Sequence, residues 1–411
     1  MLNRIFKLND NKTNISTEIS SGMITFFSMS YILVVNPAIL SSVGVPLERV
    51  FTATILAILV GTLIMALAAN YPIVVAPGMG LNSYFASVVA MTGINYKTIL
   101  ATCFIGGVIF VFLSATKFRE ALIDAIPSNL KYGISVAIGL FITFIGLKNS
   151  GIIVSNKATI LALGKLGQPT AYLTILGIII ILILLVLEVK GAIFIGMVII
   201  AVISYFMGLL KINKIFGMPK FDFSFVYNPI TESMNVFQLG LYGIVFAFLM
   251  VTLFDTTGTM IAVANQAGLI KNDKIVRAKN VLLADSIATT VGALFGTSPT
   301  TAFLVFISIF IYPLASSLVS VSAITSPALI IIGSFMMVNI SKMEWNDITE
   351  SFPAFSTIIG IPLTGSINDG IAFGFIFYVI LKITKRQWKD IHPLMYLFSI
   401  LFLIQLIWLH S

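Results

Sequence analysis

The chain has 411 residues, of which 58% are hydrophobic and only 10% are charged, against roughly 25% charged residues in a typical soluble protein. Its mean hydropathy is +1.05, and apolar stretches close to the ~20 residues that cross a bilayer recur from end to end. These values exclude a soluble protein. Solid apolar runs also exclude the alternating pattern of a membrane β-barrel. The sequence therefore predicts an all-α, multi-pass protein of the cell membrane, surrounded by the lipid bilayer.

The charged and reactive residues exclude several function classes. The net charge of +8 is explained by basic loops on the cytoplasmic side, and no nucleic-acid partner is expected. The single cysteine, Cys103, lies in an apolar stretch and is interpreted as a packing residue. The histidines, His392 and His410, have no acidic or cysteine partner at ligand spacing, so neither a metal site nor a cofactor is expected. Without a nucleophile, a metal cluster or paired acids, an enzyme is not predicted.

Apolar segments predict the membrane spans in chain order. In the first half they cover residues 22–40, 51–69, 73–91, 98–115, 130–147, 171–189 and 192–209. The polar segment "KINKIFGMPKFDFSFVYNPITESMN" then marks the one obvious boundary. In the second half they cover residues 239–260, 281–295, 302–319, 326–340, 352–363, 367–383 and 394–409.

Clusters of basic residues indicate the orientation of the chain. The four clusters are Arg4/Lys7/Lys12, Lys117/Arg119/Lys131, Lys271/Lys274/Arg277/Lys279 and Lys382/Lys385/Arg386/Lys389. Counting spans from a cytoplasmic N-terminus places the first three clusters in the cytoplasm, as the positive-inside rule requires. The fourth cluster stays open, because residues 352–383 are compatible with either one crossing or two.

One predicted span is interrupted by "APGMGLNSYF". Gly78 and Gly80 let the chain extend and let a ligand approach the backbone, and Pro77 stops a helix from running through. Asn82 offers donors and an acceptor to a polar heterocycle at the start of the following half-helix. Non-helical backbone at membrane depth is tolerated only where protein or a water-filled cavity satisfies it. The break therefore predicts a binding site, and a kink needed only for packing is the alternative.

The second half of the chain echoes the first. The small-residue-rich span "NVLLADSIATTVGALFGTSPTTAF" again ends in a broken segment, with "GTSPTTA" in the position of "APGMGLN". If each half has seven spans, an odd number, the second half enters the membrane from the opposite face. This is the inverted repeat typical of secondary transporters, whose substrate site lies at paired breaks near the bilayer midplane. The repeats are predicted over residues 1–215 and 216–411.

An acidic residue, Asp255, lies inside the apolar span "FAFLMVTLFDTTGTMIAVANQAG". An ionisable group there costs roughly 2.5–3.5 kcal/mol on insertion scales, and such groups usually face a cavity or the bundle interior and often carry protons. The alternative is a carboxylate that caps a helix or ties two helices together. Asp285, nearer a basic loop, is interpreted as structural, and Asp369 as a turn residue.

Several uninterrupted motifs carry a resemblance that covers nearly the whole chain. They are "GMITFFSMSYILVVNPAILS", "APGMGLNSYF", "LFDTTGTMIAVANQAG", "LLADSIATTVGALFGTS", "SPALIIIGSFMM" and "HPLMYLF". They resemble the adenine/guanine/hypoxanthine permease (AzgA-like) branch of the nucleobase–cation symporter-2 family. The resemblance implies a uracil-permease-like fold of two inverted seven-span repeats, whose broken spans carry short strands that cross at the substrate site. It also implies core spans at about 22–115 and 239–319 and gate spans at about 130–209 and 326–409.

The same resemblance implies proton-coupled import of the purine bases adenine, guanine and hypoxanthine, by a protein that forms a homodimer. Asp255 would carry the coupling proton. The implied substrate-binding residues, by side chain or backbone, are Gly80, Asn82, Asp255, Thr297, Ser298 and Thr300. An anion transporter of the same fold is the alternative, although such a site would aim helix N-termini at the anion and avoid a nearby carboxylate.

Two features depart from the pattern of the branch. Thr252 stands where the branch usually has a second acidic residue, three positions before Asp255. After "GTS" the branch continues with "TxTTYIES" and a glycine-rich stretch, whereas here "GTSPTTAF" runs straight into "LVFISIFIYPLASS". Only about six residues separate Phe295 from the next apolar run. These are too few to hold both a broken segment and a return crossing of ~20 residues. The second repeat is therefore predicted to be shortened, and a degenerate homologue with impaired transport is a further alternative.

Overall fold

The structure is a computed structural model, and it confirms an all-α membrane protein. Among the residues that the structure describes, six helices are long and apolar enough to cross a bilayer, and there are also shorter apolar helices. The residues described are 13–18, 22, 30–70, 78–116, 125–212, 214, 217, 224–253, 270–271, 274–275, 277–295 and 317–409.

The helices of the first half follow the predicted spans. They are α1 (Ile32–Ser41), α2 (Leu47–Ile64, continued by a π-helix over Met65–Ala69), α3 (Met79–Thr92), α4 (Tyr96–Ala115), α5 (Ser128–Asn149), α6 (Pro169–Val186) and α7 (Ala192–Phe206). Between α5 and α6, β1 (Ile153–Asn156) and β2 (Ile160–Leu163) form an antiparallel hairpin, which the search for apolar runs did not predict.

The second half starts with two short helices and then returns to apolar helices. The helices are α8 (Ser224–Thr231), α9 (Ser233–Gln238), α10 (Tyr242–Leu253), α11 (Ala278–Leu294), α12 (Ser322–Met336, followed by a 3-10 helix over Met337–Lys342), α13 (Ile348–Thr364), α14 (Ile367–Thr384) and α15 (Pro393–Leu409). Strands β3 (Ile270–Lys271) and β4 (Lys274–Ile275) pair between α10 and α11. The strands expected at the two breaks fall on residues outside the described ranges.

Helices α5 and α12 cross in opposite directions at a pair of glycines. A Cβ atom on Gly139 would lie 2.6 Å from the carbonyl oxygen of Gly333, and one on Gly333 would collide with Thr143 and Gly139. Further along, Asn339 donates from Nδ2 to the hydroxyl of Ser135 at 3.1 Å. The helices are antiparallel because the residue numbers on α12 rise as those on α5 fall.

Asn129, at the start of α5, connects this helix to the segment that leads into α13. Its Oδ1 accepts the backbone N–H of Glu344 at 2.6 Å, and its Nδ2 donates to the carbonyls of Glu344 and Glu350, each at 2.9 Å. A cavity of about 750 Å³ beside it is also lined by Lys382 and Lys389. The fourth basic cluster therefore lies at the same face as the start of α5. We name this the lysine face, and the positive-inside rule assigns it to the cytoplasm.

Helices α13 and α14 form a hairpin that turns at the opposite face. Gly365 adopts a positive φ of 68°, and Ser366 caps α14 by accepting the N–H of Asp369. The turn approaches Met91 at the end of α3, 4.0 Å from a Cβ built on Gly365. Residues 352–383 therefore cross the membrane twice. The prediction that Asp369 is a turn residue was wrong, because the turn ends at Ser366 and Asp369 lies buried in the first turn of α14.

Helix α15 runs antiparallel to α14 and returns toward the opposite face. His392, just before α15, lines the cavity at the lysine face. In the middle of the helix, the Ser399 hydroxyl donates to the carbonyl of Phe375 at 2.9 Å. Near its end, Gln405 lies beside Gly243 at the start of α10. The C-terminal helix is therefore a further crossing.

Helix α11 runs from the lysine face toward the opposite face, and α12 begins at the opposite face. Ala293, near the end of α11, lines a small cavity with Leu100 near the start of α4, and α4 follows directly on α3. Helix α12 reaches the lysine face at its C-terminal end, so Ser322 starts at the other face. The repeat boundaries and the shortening of the second repeat stay predictions.

Two ion pairs join α13 and α14 at the lysine face. Lys382 contacts Glu350 at 2.8 Å with side chains only 9% and 21% exposed. Lys385 contacts Asp347 at 2.9 Å with side chains 48% and 30% exposed. The backbone N–H of Thr349 and the Lys385 ammonium lower the pKa of Asp347 to about 2. The inner pair matters more to stability, because removing one partner leaves a buried charge uncompensated.

Gly333→Ala is expected to destabilise the protein. The new methyl group would overlap Thr143 and the backbone of Gly139, and overpacking of this kind typically costs about 1–3 kcal/mol. Thermal unfolding in detergent, followed by fluorescence-detected size-exclusion chromatography, measures the loss. Gly167→Ala is the matched control, since a Cβ there has nothing within 4 Å. Equal melting temperatures for the two variants would contradict a tight glycine crossing.

Glu350→Gln is expected to lower the melting temperature more than Asp347→Asn. It leaves the buried Lys382 ammonium without its counter-charge, whereas the outer pair is partly solvated. The Asp347 contribution should depend on pH. Its pKa is lowered from 3.8 to about 2, so the stabilisation is complete above pH 3.8 and is lost as the pH falls toward 2. Melting temperatures of wild type and Asp347→Asn should therefore converge in acid. A difference that persists at pH 2 would contradict this linkage.

Candidate functional site

Helix α3 begins directly after the predicted break. Gly78 is its extended N-cap residue, and the backbone N–H of Asn82 donates to the Gly78 carbonyl at 3.1 Å. At about 1.5 Å per residue, Met79–Thr92 is roughly 21 Å long, too short for the ~30 Å hydrocarbon core. The predicted half-helix is thus present. Residues 71–77 lie outside the described ranges.

The chain before the break also leaves regular α-helical geometry. At the end of α2, residues Met65–Ala69 widen into a π-helix, and Asn70 then takes a left-handed conformation with φ of 50°. Asparagine is among the residues that tolerate this region, and single π turns are frequent at functional sites. The backbone therefore leaves α-helical geometry on both sides of the first break, at Asn70 and at Gly78.

The side chain of Asn82 lines a small internal cavity of about 30 Å³. It is 1% exposed, and neither its Oδ1 nor its Nδ2 has a hydrogen-bond partner among the described residues. Cys103, Thr252 and Thr289 line the same cavity. The Thr289 hydroxyl donates to the carbonyl of Asp285 at 2.9 Å, so its oxygen can still accept. The cavity is thus polar on the side of Asn82.

The size of this cavity limits what Asn82 can bind in the present conformation. About 30 Å³ is the space of one water molecule, far below the ~300–1,000 Å³ of small-molecule pockets. A buried polar group without a partner costs roughly 1–3 kcal/mol. Asn82 bears this cost next to a break in the helix. A binding role for its amide would explain why a polar residue is buried there. A purine ring would enter only if α3 separates from α10 or α11.

The structure brings Asn82 close to the described ends of α10 and α11, the helices that precede the other predicted site residues. Gly80 is buried on α3, two positions before Asn82. Thr252, near the described end of α10, and Ala293, near the end of α11, both line the Asn82 cavity. The predicted residues Asp255, Thr297, Ser298 and Thr300 lie beyond those ends, outside the described residues.

Sequence reasoning missed the aromatic wall of this site. Phe85 and Phe248 line the cavity, and the rings of Tyr84 and Phe248 stand 4.7 Å apart between centroids. An aromatic residue in an apolar span gives no signal of its own, because lipid-facing and site-facing rings look alike in the sequence. Cys103, interpreted as a packing residue, also faces the cavity, and only its packing reveals this.

Sequence comparison relates the chain to known permeases. The profile of the Permease family matches residues 16–309. The chain is 50% identical to the guanine/hypoxanthine permease PbuO of Bacillus subtilis (strain 168), over 98% of this chain and 99% of that protein. It is 40% identical to PbuG, a guanine/hypoxanthine permease of the same organism, over 98% and 99%. It is 35% identical to the adenine permease AdeP of Escherichia coli (strain K12), over 100% and 97%.

Two further results of the comparisons concern length and fold. The alignment with PbuO runs over 429 positions, more than the 411 residues of this chain, so PbuO has residues without a counterpart here. The structure of SLC26A9 matches with a TM-score of 0.55 and 12% identity, over 91% of this chain and 67% of that one. The murine Slc26a9 anion transporter in the inward-facing state gives 0.54 and 11%, over 90% and 69%. At such low identity the likeness concerns the fold alone.

Asn82→Leu is expected to leave the melting temperature unchanged or to raise it, because an apolar side chain of similar size replaces a buried amide that has no hydrogen-bond partner among the described residues. The matched control is Asn36→Leu. Asn36 is equally buried, but its Nδ2 donates to the Thr54 hydroxyl at 2.6 Å, so its replacement should destabilise. Thermal unfolding in detergent compares the two. A loss at Asn82 as large as at Asn36 would show that Asn82 serves packing.

Proposed function

The chain belongs to the Permease family and, within it, to the adenine/guanine/hypoxanthine branch of the nucleobase–cation symporter-2 permeases, and from this premise we propose that it imports purine bases across the cell membrane. The transported bases are adenine, guanine and hypoxanthine, taken up by proton symport. The observation that carries the proposal is the meeting of α3, α10 and α11 at the Asn82 cavity. The relatives PbuO and PbuG, which are guanine/hypoxanthine permeases, and AdeP, which is an adenine permease, support the choice of substrate.

The proposed site uses the two breaks and one acid. Asn82, whose amide has both donors and an acceptor, binds the polar edge of the purine. The backbone at Gly80, Thr297, Ser298 and Thr300 lies beside the base. Asp255 takes up the coupling proton, a role that ionisable residues inside a membrane bundle commonly have. A homodimer is part of the proposal, on the resemblance to the family alone.

The small cavity implies a conformational step. Because about 30 Å³ holds no purine, the half-helix α3 and the ends of α10 and α11 must separate before substrate binds. Opening of this kind is a general property of transporters, in which one bundle rocks against another around a fixed site. The ion pairs at the lysine face, and Asn129 with its bonds to Glu344 and Glu350, hold α5, α13 and α14 together during that motion.

A second candidate is a homologue that folds but transports poorly. In the sequence, "GTSPTTAF" runs straight into "LVFISIFIYPLASS", without the residues that continue this motif in the branch. Thr252, where the branch usually has an acidic residue, is 5% exposed and lines the Asn82 cavity. The site therefore has one fewer carboxylate than the branch pattern, and its second broken segment is shorter.

Uptake of radiolabelled adenine, guanine and hypoxanthine in cells that lack their own purine permeases tests the proposal. Saturable uptake is expected, and each unlabelled purine should compete with it, because each has a donor next to an acceptor and the Asn82 amide can pair with either order. Uracil, sulfate and bicarbonate serve as competitors that should fail. Saturable transport of uracil or an anion, with no purine transport, would overturn the proposal. Normal membrane insertion without any uptake would establish the impaired homologue instead.

Asp255→Asn is expected to abolish accumulation against a gradient, because an amide cannot bind and release the coupling proton. In the unmodified chain, uptake should rise as the external pH falls and should stop on addition of an uncoupler. Asp347→Asn, at a partly exposed acid of the lysine face, is the control and should keep wild-type uptake. Normal accumulation by Asp255→Asn, with the same pH dependence as wild type, would remove Asp255 from the mechanism.

A further inference from the structure

Helices α8 and α9 form one helical run at the opposite face. The backbone N–H of Glu232 donates to the Asn228 carbonyl at 2.9 Å, and that of Val236 donates to the Glu232 carbonyl at 3.2 Å. These bonds continue the helical pattern through the junction. Residues 228–238 can therefore be treated as a single helix, with about 100° between successive side chains.

One side of this helix packs on the end of α4. Val236 is fully buried. The carboxylate of Glu232 accepts the Thr98 hydroxyl at 3.0 Å and the Asn235 amide at 2.7 Å. Thr98 belongs to the first turn of α4, whose 20 residues make it about 30 Å long, the thickness of the hydrocarbon core. The helix therefore lies at the level of the bilayer surface.

A second side of the helix is apolar and exposed. Ile230, Met234 and Phe237 are 53%, 65% and 50% exposed and recur at intervals of four and three residues, which places them on one stripe. The ring of Phe237 lies 6.1 Å from that of Tyr242, the first residue of α10. The stripe is thus continuous with the start of an apolar membrane helix.

The third side is polar but uncharged. Thr231, Asn235 and Gln238 are exposed and lie roughly 100° around the helix from the apolar stripe. Glu232 is the only acidic or basic residue between positions 228 and 241, and its carboxylate faces α4. The helix thus presents three distinct surfaces, toward protein, an apolar medium and water.

We propose that the helix formed by residues 228–238 is a membrane-interface helix, with Ile230, Met234 and Phe237 inserted at the boundary between headgroups and acyl chains of the outer leaflet. The apolar stripe contacts the lipid surface in this proposal, because the stripe lies at bilayer level and continues into α10. An amphipathic helix in this position binds through buried apolar area. Since its polar side carries no charge, the contact needs no anionic lipid. The inference does not depend on which solute is transported.

Fluorescence quenching in vesicles of neutral phosphatidylcholine tests this proposal. Single cysteines are introduced in a Cys103→Ser background as Met234→Cys, Phe237→Cys and, as the adjacent polar control, Gln238→Cys. Each is labelled with a small fluorophore after the variant is shown to elute as wild type. Quenching by a spin-labelled lipid should exceed quenching by aqueous iodide several-fold at positions 234 and 237, and the order should reverse at 238.

Three results would overturn the proposal. Equal iodide quenching at positions 237 and 238 would show that the apolar stripe faces water. Protection of position 237 from both quenchers would show that protein covers it, either a second copy or another partner. The experiment is then repeated with phosphatidylglycerol added to the vesicles. Unchanged lipid quenching is expected, and quenching that appears only with the anionic lipid would show that charge, rather than apolar burial, attaches the helix.

Discussion

The crossing of α5 and α12 at Gly139 and Gly333 is the contact on which the lysine-face half of the structure depends. Between helices in lipid there is little hydrophobic driving force, so close backbone approach and packing must hold them together. Glycine provides that approach here, because a Cβ on either residue would meet the backbone of the other helix. The same helix meets α13 at Gly133, whose Cβ position lies 3.0 Å from Ala354. Helix α5 is therefore the element around which α12 and α13 assemble.

The other half of the bundle contains a helix that is interrupted inside the membrane, between α2 and α3. Backbone groups at that depth must find partners within the protein. The chain reaches this point through a π-helical turn and the left-handed Asn70, and it resumes at the N-cap Gly78. The half-helix α3 is then surrounded by α4, α10 and α11 at the Asn82 cavity. A polar amide can be buried there because these helices shield it from lipid.

These two halves suit a transporter for physical reasons. The α5–α12–α13–α14 group is held by glycine contacts, the three bonds of Asn129 and the buried Lys382–Glu350 pair, all of which resist local opening. The Asn82 cavity has little volume, and the Asn82 amide has no partner within the described part of the chain, so small movements there change what the cavity can hold. A rigid group beside an adjustable site is the arrangement that alternating access requires.

Particular elements show why some predictions from the sequence held and others did not. The half-helix start near Gly78 was predictable, because proline and glycine act locally on the backbone. The β1–β2 hairpin was missed, since "IIVSNKATILAL" is too short to form a span and its alternation is weak. Asp369 was misplaced because one residue, Ser366, decides where the turn ends. The aromatic wall of Phe85 and Phe248 had no sequence signal, since burial in protein and in lipid select the same residue types.

The sequence by itself determined that this chain crosses a membrane many times, where its helices lie and where one of them breaks. These properties depend on hydropathy and on local backbone preferences, which act within about 20 residues. Only the tertiary structure decided that the cluster around Lys382 shares a face with the start of α5. It alone placed Thr252 and Ala293 beside Asn82, and gave residues 228–238 three different surroundings. Contacts between residues more than a hundred positions apart depend on how helices pack, and no local pattern records that packing.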